Sequence, residues 1–101
     1  MTAQAARFRA LIEAKRAELL KAAESHGAYE LRLFGSVARG DADEESDIDI
    51  LVKMQAGRSL FDLGGLLADF EAILGMKVDV ATEKGLKERI RERVLKEAVP
   101  L

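Results

Sequence analysis

The sequence predicts an α+β fold in which one small mixed sheet is covered by helices. Amphipathic stretches with helical spacing alternate along the chain with short stretches that are typical of strands. The predicted order is helix, strand, short helix, strand, helix, strand, helix. With 101 residues, no repeat and a single proline at position 100, the chain is expected to form one domain, residues 1–101.

The first predicted helix spans Thr2 to His26. Its apolar residues recur on one side at helical spacing: Phe8, Leu11, Ile12, Leu19 and Ala23. Gly27 follows, and glycine commonly ends a helix because it adopts left-handed backbone angles. The next stretch, "YELRLF" (29–34), alternates apolar and polar residues and is predicted to be a strand. The segment "SVARG" is long enough for one or two helical turns only.

The second predicted strand is "DIDILVK", residues 47–53. A strand's period of two places its residues on opposite faces: Ile48, Ile50 and Val52 on one, and Asp47, Asp49 and Leu51 on the other. A charged pair inside a strand is unusual, because strands favour β-branched and aromatic residues. The two aspartates are therefore candidates for a functional role.

The second half of the chain predicts two helices separated by a strand. Ser59 and Asp62 form a capping-box pair at the start of the first of these helices. The stretch "MKVDVAT" (76–82) is predicted to be a short strand, with Asp79 facing away from its valine neighbours. The last predicted helix spans about residues 86–98.

Composition excludes several classes of protein. The formal net charge of −2 and the pI near 5.5 argue against binding to nucleic-acid backbones. The absence of cysteine excludes disulfides and thiolate metal sites. The sequence has neither an apolar run of about 18 residues nor the apolar core of a signal peptide. We therefore expect a cytoplasmic protein without membrane attachment.

The stretch "FGSVARGDADEESDIDILV" invites two motif interpretations that fail. A phosphate-binding P-loop needs lysine and then serine or threonine after its second glycine, where this chain has Asp41 and Ala42. A calcium loop starting at Asp41 needs glycine and glutamate where the chain has Ser46 and Val52. Neither site is expected.

What remains is a Gly-Ser turn, an interval of ten residues, and then Asp-x-Asp. Asp47 and Asp49 point to the same side of the strand, and their backbone positions are about 6.6 Å apart. If their carboxylates approach to ~5 Å, they repel each other by ~3 kcal/mol at an effective dielectric constant of 20. Mg²⁺, a hard cation with oxygen ligands, relieves this repulsion. The amides at the turn and the hydroxyl of Ser36 suit a phosphate. The pattern therefore predicts metal ions beside a phosphate group.

These residues carry a family resemblance. The segment "GSVARGDADEESDID" resembles the signature of the nucleotidyltransferase superfamily that includes DNA polymerase beta and kanamycin nucleotidyltransferase. More narrowly, the chain resembles the minimal nucleotidyltransferases of the MntA type, which are often paired with HEPN-domain proteins. The segments "SLFDLGGLLADFEAILGMKVDVAT" and "GLKERIRERVLKEAVPL" resemble the second half of that family. The resemblance implies the two-layer nucleotidyltransferase fold.

The resemblance also implies the roles of individual residues. Asp47 and Asp49 match the pair that contacts two Mg²⁺ ions, and Asp79 matches a third metal-binding acid; all three are candidate catalytic residues. The matching residues for the triphosphate are Gly35, Ser36 and Arg39. Many relatives have a basic residue directly after the Gly-Ser pair, where this chain has Val37, so Arg39 is expected to supply the positive charge.

The expected function follows from the same resemblance. It is a Mg²⁺-dependent transfer of a nucleoside monophosphate, AMP from ATP, onto a tyrosine hydroxyl of a HEPN-family toxin, in an antitoxin role. Two alternatives stay open: an antitoxin that neutralises by binding alone, and a nucleotidyltransferase that acts on a small molecule or an RNA end. The acidic pI weighs against RNA. The sequence leaves homo-oligomer formation open.

Overall fold

The computed structural model of the protein describes residues 1–101 and contains five helices and four strands. The helices are α1 (Ala3–Ala14), α2 (Arg16–Ser25), α3 (Gly35–Arg39), α4 (Leu60–Leu74) and α5 (Glu88–Glu97). The strands are β1 (Ala28–Phe34), β2 (Ile48–Met54), β3 (Val78–Thr82) and β4 (Val99–Pro100). The predicted α+β class is confirmed. No helix is both long and apolar enough to cross a lipid bilayer.

The strands form one mixed sheet with the order β3-β2-β1-β4. β1 is antiparallel to both β2 and β4, whereas β2 and β3 are parallel. Parallel neighbours need a long crossover connection, and α4 supplies it. This crossover places the N-terminal ends of β2 and β3 side by side.

A β-bulge interrupts the pairing of β1 with β2. Tyr29 pairs with Lys53, but Arg32 pairs with Leu51, so that two residues of β1 lie opposite one residue of β2. Glu30, inside the bulge, has a φ of 51°. The register is regular from Arg32 to the end of β1.

The two faces of the sheet are covered unequally. On one face, α1, α2 and α4 enclose a cluster of 17 buried residues that includes Ile48, Ile50 and Val52. On the other face, Leu51 packs with Leu86 and Val94 in a cluster of three buried residues beneath α5. The alternation predicted for β2 therefore divides its side chains between two clusters of different size.

The prediction of one helix from Thr2 to His26 is wrong in one respect, because the segment is kinked at Lys15. Lys15 has φ −104° and ψ 7°, yet its N–H still donates to the carbonyls of Leu11 and Ile12, and its own carbonyl accepts from Leu19. The two halves have different neighbours on either side of the kink: α1 contacts α3, whereas α2 contacts β1 and α4. Neither glycine nor proline marks the kink in the sequence.

Helix α4 begins at the capping box that the sequence predicts. Ser59 is the N-cap, and the reciprocal hydrogen bonds of a capping box with Asp62 are both present. Gly75, with φ 67°, is the left-handed C-cap. The short strand β4 was not predicted, since two residues are too few to show a period.

Candidate active site

Asp49 and Asp79 are direct neighbours across two parallel strands. In the pairing of β2 with β3, Asp49 is aligned with Asp79, and in the pairing of β1 with β2 it is aligned with Phe34. Aligned residues on adjacent strands point to the same face and lie about 4.8 Å apart. The sheet therefore brings together two acids that are 30 positions apart in the sequence.

The crowding of acids changes the titration of Asp49. Burial, the neighbouring carboxyl group of Asp79 and the charge of Asp47 together raise the pKa of Asp49 to about 7, while Arg39 opposes this shift. An ordinary aspartate has a pKa near 3.9. A positive charge placed at this carboxylate would relieve both the desolvation and the repulsion.

Gly35 allows the carboxylate of Asp49 to lie against the main chain. Its φ is 73°, in the left-handed region that favours glycine. A Cβ atom at this position would overlap Oδ2 of Asp49. Glycine therefore serves two purposes where β1 turns into α3: it allows the turn, and it makes room for the acid.

The short helix α3 is held by tertiary contacts, because five residues are too few for a stable helix in isolation. Val37 is fully buried in the larger cluster. Arg9 of α1 donates hydrogen bonds to the carbonyls of Val37 and Ala38, and Gly40 caps the helix with a φ of 85°. The position after the Gly-Ser pair thus points into the core and cannot present a charge to a ligand.

Arg39 is the basic side chain at this turn. Its guanidinium donates to Asp41 at 3.3 Å and to both carboxylate oxygens of Glu97 at 3.3 Å. These hydrogen bonds, that of Asp41 first, raise the pKa of Arg39 above its ordinary value. The amide of Gly35 also donates to Glu97, at 3.1 Å. A carboxylate therefore already lies against the turn.

Asp47 lies close to the other two acids but is not gathered with them. It precedes the first residue of β2, and its carboxylate lies 3.9 Å from Nζ of Lys77. Lys77 is 73% exposed, and an ion pair of this kind contributes little to stability. The three predicted acids do not converge on one point as direct ligation by all three would require.

The donors at this site nevertheless fit a divalent cation. Asp49 and Asp79 offer carboxylate oxygens from adjacent strands, and Asp47 is near enough to influence the titration of Asp49. Carboxylate oxygens are the ligands that Mg²⁺ prefers, and a bound cation would offset the burial and the like charges that raise the pKa of Asp49. Rotation of the Asp47 side chain away from Lys77 would add a third donor.

A separate depression of about 430 Å³ lies at the opposite end of β2 and β3 from the acids. Its lining contains no aspartate: Tyr29, Val52, Lys53, Met54, Thr82, Glu83 and Lys84. A second depression also lacks the three acids, and Asp79 is exposed, so the acidic site is open to solvent at the strand starts.

Sequence reasoning missed Glu97. It is separated from Gly35 by 62 positions and lies in a helix whose acidic and basic residues alternate, a pattern that is typical of a solvated helix face. No periodicity or spacing signals that its side chain returns to the Gly-Ser turn. Only the tertiary structure brings it there.

Comparison with known proteins gives consistent results. The family model described as "Nucleotidyltransferase domain" matches residues 16–101. The chain is 42% identical over 76 residues to the protein adenylyltransferase MntA of Thermococcus cleftensis, covering 75% of this chain and 77% of that protein. It is 45% identical over 74 residues to a candidate protein adenylyltransferase of Methanocaldococcus jannaschii, covering 73% of this chain and 80% of that protein.

Solved structures agree with the fold. One described as a candidate minimal nucleotidyltransferase has a TM-score of 0.80 and 48% identity, covering 89% of this chain and 92% of that chain. A toxin–antitoxin crystal structure with AMP-PNP has a TM-score of 0.69 and 20% identity, covering 83% of this chain and 69% of that chain; at that identity it supports the fold alone. The resemblance seen in the sequence is confirmed: the chain belongs to the nucleotidyltransferase domain family and is a nucleotidyltransferase enzyme.

Proposed function

We propose that the protein transfers AMP from ATP to a tyrosine hydroxyl of a HEPN-family toxin and so acts as the antitoxin of that pair. The observation that carries the enzymatic part is the alignment of Asp49 with Asp79 on adjacent strands, beside the turn at Gly35. The relatives named as protein adenylyltransferases support a protein acceptor and AMP as the transferred group. ATP as the donor and a toxin as the partner are carried over from the toxin–antitoxin neighbour with AMP-PNP, which shares the fold. HEPN identity and tyrosine come from the family resemblance.

In this proposal the chain binds the donor through two sets of groups. Asp47, Asp49 and Asp79 would hold two Mg²⁺ ions. When bound, Mg²⁺ supplies Lewis-acid stabilisation of the phosphates and lowers the pKa of the attacking hydroxyl. The Ser36 hydroxyl and the amides of the turn bind phosphate oxygens, and the guanidinium of Arg39 balances their charge. The triphosphate then lies across the starts of β2 and α3.

The reaction is an in-line displacement at the α-phosphorus. The acceptor oxygen forms a bond to that phosphorus, the bond to the bridging oxygen breaks, and pyrophosphate leaves with the bonding electrons. Asp79 lies on the edge strand β3, where an acceptor approaching from solvent can meet it. Its carboxylate orients the hydroxyl and accepts its proton.

A partner that brings its own acceptor suits this site. The acids lie on an open surface at the strand starts, outside the depression at the far end of the sheet. A protein surface placed over them would exclude water and strengthen the electrostatic interactions of the transferring phosphate. The toxin would thus complete the site.

The test compares the parent with Asp49→Asn and with Glu44→Gln, a matched change of an exposed loop acid. Each protein is incubated with Mg²⁺, α-labelled ATP and a HEPN toxin. We expect label on the toxin with the parent and with Glu44→Gln, and a loss of at least about 10⁴-fold in rate with Asp49→Asn, corresponding to about 5 kcal/mol. Mass spectrometry of the labelled toxin identifies the modified residue.

Three results would change the proposal. Label transfer by Asp49→Asn at the parent's rate would remove this carboxylate from the chemistry. Neutralisation of the toxin by Asp49→Asn as complete as that by the parent would favour an antitoxin that acts by binding alone. Label on a residue other than tyrosine would correct the acceptor only.

A further inference from the structure

Glu97 occupies the turn to which the proposed function assigns the triphosphate. It is the last residue of α5, and its side chain is only 15% exposed. One carboxylate oxygen accepts from the amide of Gly35 at 3.1 Å, and both oxygens lie 3.3 Å from the guanidinium of Arg39. Two different parts of the turn therefore hold the same anion.

A phosphate group and this carboxylate compete for the same donors. The amide of Gly35 has one hydrogen to donate, and it is directed at Glu97. The guanidinium of Arg39 is shared between Glu97 and Asp41. An incoming triphosphate would also place negative charge within a few ångströms of the Glu97 carboxylate, and like charges at such a distance repel strongly where solvent screening is incomplete.

We propose that Glu97 is a built-in competitor of the nucleotide: its carboxylate stands in for a phosphate at the turn, and ATP binding must expel it. This inference rests on the proposed function, since it assumes that the turn binds the triphosphate. Glu97 thereby lowers the affinity of the turn for the nucleotide.

The surroundings of Glu97 make its expulsion feasible. It stands at the end of α5, directly before the C-cap Ala98. The buried cluster beneath α5 contains only three residues, and the following strand pairs with β1 through two residues, Val99 and Pro100. Rotation of the side chain toward solvent therefore breaks the bonds to the turn without disturbing the larger core.

The decisive experiment measures nucleotide binding rather than turnover. The dissociation constant of AMP-PNP with Mg²⁺ is measured by titration calorimetry for the parent, Glu97→Gln and Glu92→Gln. The last is the matched control, because Glu92 lies on the same helix, is 82% exposed and forms its one ion pair with Lys96. We expect Glu97→Gln to bind about tenfold more tightly than the parent, and Glu92→Gln to bind within about twofold of it.

A purely structural role predicts the opposite sign for Glu97→Gln. If Glu97 only supported the turn, its loss would loosen Gly35 and Arg39 and weaken binding. Thermal melting is recorded in parallel, and we expect a slightly lower melting temperature together with tighter binding. Should Glu97→Gln fail to fold, Glu97→Asp, which keeps the charge but shortens its reach, provides the same comparison and is also expected to bind more tightly.

The outcomes separate the inference from the function on which it depends. Binding by Glu97→Gln that is equal to or weaker than binding by the parent overturns the inference and leaves the proposed function intact. Failure of the parent to bind AMP-PNP at millimolar concentration overturns the proposed function, and the inference with it. Equal tightening in Glu92→Gln shows a general effect of net charge and also overturns the inference.

Discussion

The two faces of the sheet differ in how many apolar side chains they bury. The face beneath α1, α2 and α4 buries 17 residues in one apolar cluster. The face beneath α5 buries three, and its next row of side chains carries Asp49 and Asp79. Burial of apolar area is the main source of stability, so most of the free energy of folding comes from the first face.

This difference explains how the protein tolerates its acids. Two neighbouring carboxylates, one with a pKa raised to about 7, destabilise the folded state above the pKa of the unfolded chain. The apolar cluster on the opposite face supplies enough stability to offset this cost. The acidic face can therefore keep an arrangement of carboxylates that is less stable without a cation than with one bound. Truncation of an apolar side chain on the first face should therefore lower the free energy of unfolding, whereas removal of a carboxylate charge on the second face should raise it or leave it nearly unchanged.

The largest effect on stability is expected on the apolar face. Phe70 is fully buried, and Phe70→Ala should lower the free energy of unfolding by about 3–5 kcal/mol, because it removes apolar contacts and leaves a cavity. Phe61→Ala makes the same change on the same helix at a side chain that is 92% exposed. Urea denaturation measures both variants. A similar loss in the two would mean that the larger cluster does not dominate stability.

A smaller effect on stability is expected at Gly35, where β1 turns into α3. Gly35→Ala should cost about 2 kcal/mol of unfolding free energy, since it combines left-handed backbone strain with displacement of Asp49. Gly57→Ala is the control: its φ of 87° is also left-handed, but nothing lies within 4 Å of the added Cβ. The difference between the two variants isolates the contact with Asp49. No difference would place the carboxylate away from the turn.

The acidic face should also reveal itself through pH. In metal-free protein the folded state binds the Asp49 proton more tightly than the unfolded state does, so stability is full below about pH 4, falls as the pH rises, and levels off above pH 7. Discounted for the partial exposure of the group, the loss is about 2 kcal/mol. Asp49→Asn should remove this part of the pH dependence.

Chemical denaturation in the presence of a chelator, at several pH values, checks this expectation. The useful quantity is the difference in unfolding free energy between Asp49→Asn and the parent, because titrating groups that do not interact with Asp49 cancel in it. That difference should grow in favour of the variant from pH 4 to pH 7. Addition of Mg²⁺ at pH 8 should stabilise the parent more than the variant. A difference that is flat with pH would contradict the burial of Asp49 and its crowding by the other acids.

The smallest effect is expected for Asp47. Asp47→Asn loses an exposed contact of 3.9 Å with Lys77 and removes a like charge near Asp49. These changes oppose each other, so the free energy of unfolding should stay within about 0.5 kcal/mol of that of the parent. The melting temperature should change correspondingly little. A large destabilisation, seen by calorimetry, would identify Asp47 as a structural anchor of β2.

The sequence predicted those features that depend on local chemistry. The capping box at Ser59 and the division of β2 into two faces were readable because they involve neighbouring residues. The proximity of Asp79 to Asp49 needed the family resemblance, since strand order cannot be read from one sequence. The kink at Lys15 and the return of Glu97 to the turn had no local signal, because both are set by how helices lie on the sheet.

The bulge at Glu30 has a consequence for the far end of β1. Because a strand's side chains alternate in direction, one residue more or less reverses every side chain that follows. The bulge accommodates one extra residue, so that the side chain of Phe34 lies on the same face of the sheet as that of Asp49. Gly35 then follows in the position where the chain turns into α3. Deletion of Glu30 would therefore change the register of β1 and force the backbone to rearrange before the turn at Gly35.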